Sequence, residues 1–391
     1  MKLEPIGNLV GEVNRTDPAE LGRPTITYLD ISSVDSGAKR VVAPQRIAAK
    51  AAPSRARQLV CADDVLVSTV RPNLNAVAFV PSEYDGEIAS TGFCVLRAQP
   101  TRLDPQYLFY FSQSAPFVAH LTKIANGASY PAVSDNDIFE TCIPYLDLPE
   151  QRQIAQRLEQ ADRLRRTRRY ALQLTDSFLP AAFLKLFGDR SCPNMPLEEL
   201  AKDEQSSFVN GPFGSDLLTS ELTTSGVPVI YIRDISSGRY DRTSTAFVTS
   251  EKASELQFCS AYPGDVLVTK VGDPPGVAAI YPSTEPNGII TQDVIRIRPN
   301  TERALAEYLQ GVLNSPMASP AMKRIMIEGT RLRFSLGQFK EILVPVPPLP
   351  LQQKFAALVH RTEHLRAAQR EALRQADHLF TTLLHQAFRP E

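Results

Sequence analysis

Tryptophan is missing from this chain, and 391 residues hold only 5 cysteines, 5 histidines and 5 methionines. Cys61, Cys94, Cys142, Cys192 and Cys259 are scattered, without a C-x-x-C pair or a histidine at ligand spacing. That spacing excludes a zinc framework and a disulfide scaffold, and points to reduced thiols in a cytoplasmic protein. No apolar run approaches the roughly 18 residues a membrane helix needs. The first residues, Met1 to Asn8, also lack the apolar stretch of a signal peptide, so no membrane association is expected. Excess charge is absent too: the formal net charge is -1, so any nucleic-acid face must be a local basic patch balanced elsewhere. There is no Walker loop, no G-x-S-x-G and no kinase signature.

What is present is a duplication at an offset of about 201 residues. Asp64-Val65-Leu66-Val67 recurs as Asp265-Val266-Leu267-Val268, and the segment from Ile88 to Arg97 recurs from Ile289 to Arg298. Tyr107-Leu108 meets Tyr308-Leu309, Ser134 meets Ser335, Ile143-Pro144 meets Val344-Pro345, and Phe187 meets Phe388. Nearer the start, Asp30-Ile31-Ser32-Ser33 recurs as Asp234-Ile235-Ser236-Ser237, with the offset drifting by 3. Matches held in one register over some 130 residues imply two copies of one fold.

Each copy opens with short β-branched runs bounded by turn residues, among them Val65 to Val70 and Val266 to Val271, which read as strands. A helical patch, a polar loop and a proline-rich exit follow, and then a long helical segment. The first long helix has Asp147 as cap, Pro149 in its first turn, Glu150 in capping-box position and Gly188 after its last apolar residue. Pro180 should kink or break it before Phe183. Its apolar positions include Ile154, Leu158, Ala161, Leu164, Leu172, Phe178 and Phe183; the second helix, from Pro350, carries Phe355, Leu358, Val359, Leu365, Ala376, Leu379, Leu383 and Phe388. Two apolar stripes must be buried, and antiparallel packing of the helices on each other does so. The expected fold is α+β: two homologous domains joined by two long antiparallel helices, a pseudo-twofold internal repeat. The expected boundaries are 1–148, 149–189, 190–348 and 349–391.

Two features invite a catalytic reading. Asp273-Pro274-Pro275-Gly276 resembles the Asp/Asn-Pro-Pro-aromatic motif of amino-methyltransferases, but Gly276 stands where the aromatic belongs and no glycine-rich cofactor loop precedes it. A turn between strands accounts for it better. His360 and His364 have an i, i+4 spacing, yet no third ligand can be named, so a partner-facing helix surface is the better account. Binding is therefore favoured over catalysis, with no metal and no cofactor in this chain.

The residues suited to reading DNA lie after the repeated strand. Arg71, Asn73 and Asn75 carry the paired donors and acceptors that match guanine and adenine edges. The equivalent loop begins Lys270-Val271-Gly272-Asp273, whose different chemistry would read different bases. Other candidates are Asn126, Ser129 and Tyr130 and, in the second copy, Arg331 and Arg333. Lys39, Arg40, the stretch Arg55 to Arg57, Arg239 and Arg242 could grip phosphates. The run Arg163, Arg165, Arg166, Arg168 and Arg169 fits either a DNA backbone or an acidic partner.

The exit Ile143-Pro144 … Leu148-Pro149-Glu150-Gln151-Arg152-Gln153-Ile154 resembles the junction found in specificity subunits of type I restriction-modification systems. The second exit, Val346 to Phe355, departs from it at Leu351, where glutamate is usual. Gly211-Pro212-Phe213-Gly214-Ser215 resembles the start of a target recognition domain, which adds Phe213 and Ser215 to the candidates. The resemblance covers essentially the whole chain. It implies that each copy is a target recognition domain for one half of a split site in double-stranded DNA, with the helices as spacer. It also implies two modification subunits carrying an adenine methyltransferase and S-adenosylmethionine, and restriction subunits using ATP and Mg, with none of these activities in this chain. About 29 helical residues between Gln151 and Leu179 would span roughly 43 Å, commensurate with half-sites one DNA turn, about 34–36 Å, apart. Other readings are a specificity subunit for a combined cleavage-and-methylation enzyme or another phage-defence system, a two-domain protein adaptor, and a stand-alone methyltransferase.

Overall fold

Four-residue runs with no polar face, Val65–Ser68 and Val266–Thr269, are buried along their whole length. Only an interior strand covered on both faces tolerates that composition. Each pairs antiparallel with two neighbours: the first with Phe93–Ala98 and Val77–Phe79, the second with Val294–Ile297 and Ala278–Ile280. The structure, a computed structural model, describes every residue except Met1, Ala128, residues 189–191, Phe213, Ser215, Glu328, Thr330, Pro390 and Glu391. It divides into two compact units, Met1–Ala171 with Gln369–Glu391, and Leu172–Ala368.

The two units repeat one topology. In each, a parallel pair lies within an otherwise antiparallel sheet: Thr25–Leu29 beside Ile88–Ser90, and Val227–Ile230 beside Gly288–Ile290. In each, a short strand at the start closes against the exit: Leu3–Pro5 on Cys142–Pro144, and Asn194–Pro196 on Leu343–Pro345. A carboxylate at the foot of the central strand takes an arginine from the next: Asp64 with Arg97 at 2.7 Å, Asp265 with Arg298 at 3.1 Å. The hydrogen bonds that Arg97 donates to Asp64 hold its guanidinium above its ordinary pKa. Unit 1 differs by a hairpin, Val34–Asp35 with Arg40–Val41, that extends its main sheet from 4 to 6 strands.

The long helices are Leu148–Phe187, of 40 residues, and Leu349–Ala387, of 39. Asp147 caps the first through the Glu150 amide at 2.9 Å, and the Gly188 amide closes its end on the Leu184 carbonyl at 2.7 Å. Of the kink or break expected at Pro180, the break does not occur: proline removes one amide donor, and the helix runs on to Phe187. Each unit uses one end of each helix, in antiparallel sense. In unit 1, Ala155, Leu158 and Ala161 share a core with Phe380 and Phe388, the Arg165 guanidinium lies 3.7 Å from the centre of the Phe380 ring, and Arg169 pairs with Asp377. In unit 2, Phe183 meets Phe355 edge-on at 5.2 Å, and Asp176 pairs with Arg366 at 2.6 Å.

The expected apolar stripes are only partly buried. Leu164, Phe178, Leu365 and Leu379 are 40%, 47%, 55% and 44% exposed. Toward the middle of the helices polar residues take the buried positions instead, Asp162 and Thr362 at 5% and Arg366 at 6% exposure. The helices thus hold by apolar contacts near their ends and by charge toward their middles.

One glutamine in each unit pins helix to globular part. Gln151 is fully buried; its amide donates to the carbonyls of Arg102 (3.0 Å) and Leu146 (2.9 Å) and accepts from the Asp104 amide (2.8 Å). Gln352 makes the same three bonds, to the carbonyls of Arg303 and Pro347 and from the Leu305 amide. A glutamine is needed because only an amide side chain offers both donors and an acceptor here.

Candidate nucleic-acid interface

In unit 1 the chain leaves Val65–Ser68 and builds a short loop. Arg71 and Asn75 take left-handed backbone conformations, φ 51° and 46°, on either side of the single turn Pro72–Leu74. The Ser68 amide bonds the Ala76 carbonyl and closes the loop. A second loop docks on it: the Arg71 amide donates to Pro131 O at 2.7 Å, the Val133 amide to Thr69 O at 2.9 Å, and Asn126 and Ala132 exchange two bonds of 2.9 Å. The Arg71 guanidinium lies 4.6 Å from the centre of the Tyr130 ring, which is 68% exposed. Arg71, Asn73, Asn126, Ser129 and Tyr130 are all exposed, so these candidates come together as one cluster.

Lys39 and Arg40 sit on the added hairpin. Arg40 is exposed, whereas Lys39 is half-buried and donates to the Asn75 carbonyl. Burial, with Arg165 nearby, brings the Lys39 ammonium down to about 8. Lys39 thus braces the loop, and Asn75, also half-buried, offers its carbonyl to that brace.

Unit 2 repeats the weave with other side chains. The Gly272 amide donates to Leu332 O at 3.1 Å, the Phe334 amide to Lys270 O at 3.4 Å, and Ile327 and Arg333 exchange bonds of 2.7 and 3.3 Å. Arg331 and Arg333 are exposed and Lys270 is half-buried. Among the described residues, Arg40, Arg71, Lys270, Arg331 and Arg333 form no ion pair, which leaves their charge available to a polyanion. The Asp273-to-Gly276 stretch is a turn joining two strands of this sheet. Gly276 donates to Thr269 O, and its left-handed backbone, φ 94°, strains any side chain at the position, the motif's aromatic included.

Other candidates lie elsewhere. Arg239 pairs with Asp176 at 3.5 Å and Glu363 at 3.3 Å, tying the globular part of unit 2 to both helices. Arg242 pairs with Glu285 at 3.2 Å and lies 4.8 Å from the centre of the Phe247 ring. Arg57 pairs with Asp17. Of the basic run, Arg165 and Arg166 share Asp162 and Arg169 takes Asp377, so among the described residues Arg163 and Arg168 alone of the five hold no ion pair. His360 pairs with Glu307 at 2.9 Å. Phe213 and Ser215 lie outside the described residues. Beside them, a Cβ on Gly211 would fall 2.2 Å from the Ile290 carbonyl, so that residue must be glycine.

Sequence reasoning missed two apolar side chains on the clusters: Leu74, 54% exposed between the two left-handed residues, and Ile327, 45% exposed beside Arg333. The available signal was an apolar residue set among loop polars.

No protein-family model and no curated protein matches the chain. Solved structures do. A chain from a structure of the complex assembly and conformational transition of the type I R-M system aligns at 27% identity, covering 99% of this chain and 97% of that one, with a TM-score of 0.62. The type I restriction-modification S subunit from M. genitalium aligns at 18% identity over 100% and 96%, TM-score 0.56. The HsdS subunit from Thermoanaerobacter tengcongensis aligns at 25% identity over 99% and 96%, TM-score 0.44.

Proposed function

We propose, from the premise that this chain has over nearly its full length the fold of type I restriction-modification specificity subunits, that it is the non-catalytic subunit that selects the DNA site. Unit 1 reads one half of a bipartite sequence and unit 2 the other. Partner subunits supply the chemistry: two modification subunits with an adenine methyltransferase and S-adenosylmethionine, and restriction subunits that use ATP and Mg.

The observation that carries this reading is one hydrogen-bonded loop frame built twice with different side chains. Backbone bonds hold the frames alike, Arg71 to Pro131 and Gly272 to Leu332, while the presented chemistry differs: Arg71, Asn73 and Tyr130 in one, Lys270, Arg331 and Arg333 in the other. A frame of fixed shape with variable donors suits two targets of one kind and different sequence. The exposed cations supply the sequence-independent phosphate attraction.

The test is the methylome of the host with and without this gene. A bipartite adenine-methylated motif should vanish on deletion. Replacing Arg71 and Asn73 by alanine should degrade one half of that motif and spare the other. An unchanged methylome after deletion refutes the proposal.

A further inference from the structure

The unit 2 loop cluster carries a side chain that a surface made only to grip phosphate would avoid. Asp273 is exposed at the start of the Pro-Pro turn, and among the described residues it accepts no hydrogen bond and joins no ion pair. Its surroundings are basic. Lys270 lies three residues earlier, and the Gly272–Leu332 hydrogen bond brings the segment with Arg331 and Arg333 against it. The carboxylate pairs with none of these cations.

In the free protein such a carboxylate is solvated and costs little. Against a duplex it is repelled by phosphate and has no cation of its own to neutralise it. The contact is unfavourable unless the carboxylate meets a hydrogen-bond donor. In the major groove DNA offers donors only at exocyclic amino groups, and aspartate is the matching acceptor for cytosine N4. Asp273 is also held in place for such a contact. The turn after it is fixed by Pro274 and Pro275 and by the amides of Gly276 and Val277, which both donate to Thr269 Oγ1 at 3.0 Å. Little conformational freedom is then lost on binding. In unit 1 the position at the repeat offset is Pro72, so the feature belongs to unit 2 alone.

We infer that Asp273 is a specificity-determining residue of unit 2, accepting a hydrogen bond from the amino group of a cytosine in the half-site that unit 2 reads. The inference rests on the reading of the loop clusters as DNA-facing.

The experiment uses the full chain assembled with its modification subunits, a substrate library randomised across both half-sites, and an unrelated duplex titrated at several salt concentrations. Asp273→Ala should relax discrimination for one cytosine in one half-site by at least about 5-fold and leave the other half-site unchanged, and Asp273→Asn, which keeps an acceptor oxygen without the charge, should relax it less. Asp273→Ala should also tighten binding to the unrelated duplex, because a repulsive charge is gone. Asn keeps the size of the side chain, and an unaltered melting temperature excludes a folding defect. If Asp273→Ala leaves the motif unchanged, or weakens all sequences alike, while Lys270→Ala and Arg333→Ala still lower binding, the Asp273 assignment is overturned and the interface stands. If those two variants also change nothing, the DNA-facing reading itself falls.

Discussion

Replacing Gln151 by methionine should cost unit 1 about 3–5 kcal/mol, although the volume of the side chain is nearly kept. The side chain is fully buried and satisfies the Asp104 amide and the Arg102 and Leu146 carbonyls. Methionine leaves those three groups without partners, and an orphaned buried polar group costs about 1–3 kcal/mol. Partial entry of water brings the sum below the simple total. Helix propensity does not confound the comparison, since glutamine and methionine are nearly equal in it. For a unit of this size each kcal/mol lowers the melting point by about 2–4 °C, so a fall of about 6–20 °C is expected. Amide hydrogen exchange localises the effect: Asp104 should lose protection in the variant while Leu305, its counterpart in unit 2, keeps its own. Gln352→Met should do the reverse. A loss below about 1 kcal/mol, or unchanged protection at Asp104, would refute the view that this glutamine pins helix to domain.

Gly276→Ala should destabilise unit 2 by about 1–3 kcal/mol through its left-handed backbone, and a second change, Met322→Ala, should relieve the clash with Met322 without restoring the parent melting temperature. Asp147→Ala removes the cap on the Glu150 amide and should cost about 1 kcal/mol in urea unfolding; no change would mean the cap is idle. Burial, with Arg165 nearby, lowers the Lys39 ammonium from 10.5 to about 8, so between those values the unfolded chain holds more protons there than the folded one. Stability contributed by this side chain therefore rises with pH across that window. Urea unfolding of the parent and of Lys39→Met from pH 7.5 to 10.5 should show the parent gaining on the variant, and parallel curves would refute it.

Much of the fold was legible because the duplication repeats interior residues at one spacing. Tyr107 and Tyr308 sit at one offset, and both donate through their hydroxyls to the carbonyl of an exit proline, Pro144 and Pro345. Asp64 with Arg97 and Asp265 with Arg298 lie at the same offset, but sequence does not say that the members of each pair meet. The drift of the offset near Asp30 marked the place where unit 1 gains its hairpin. The helices were harder. Periodicity found apolar positions but could not tell buried from open, so Leu164 and Leu379 read like Leu158 although only Leu158 is covered. The loop candidates were legible as strand-exit residues. The roles of Arg239 and Lys39 were not, because each depends on a partner distant in sequence, Glu363 and Asn75.

The paired loops owe much of their shape to main-chain bonds, and main-chain bonds are indifferent to what hangs from the α-carbon. Substituting Asn73, Leu74 or Arg331 exchanges an outward side chain and leaves those ties in place. If the loops read DNA as proposed, a new target can be acquired without first surviving a loss of stability. On that reading fold and preference are inherited separately, and selection can revise one while the other stands still.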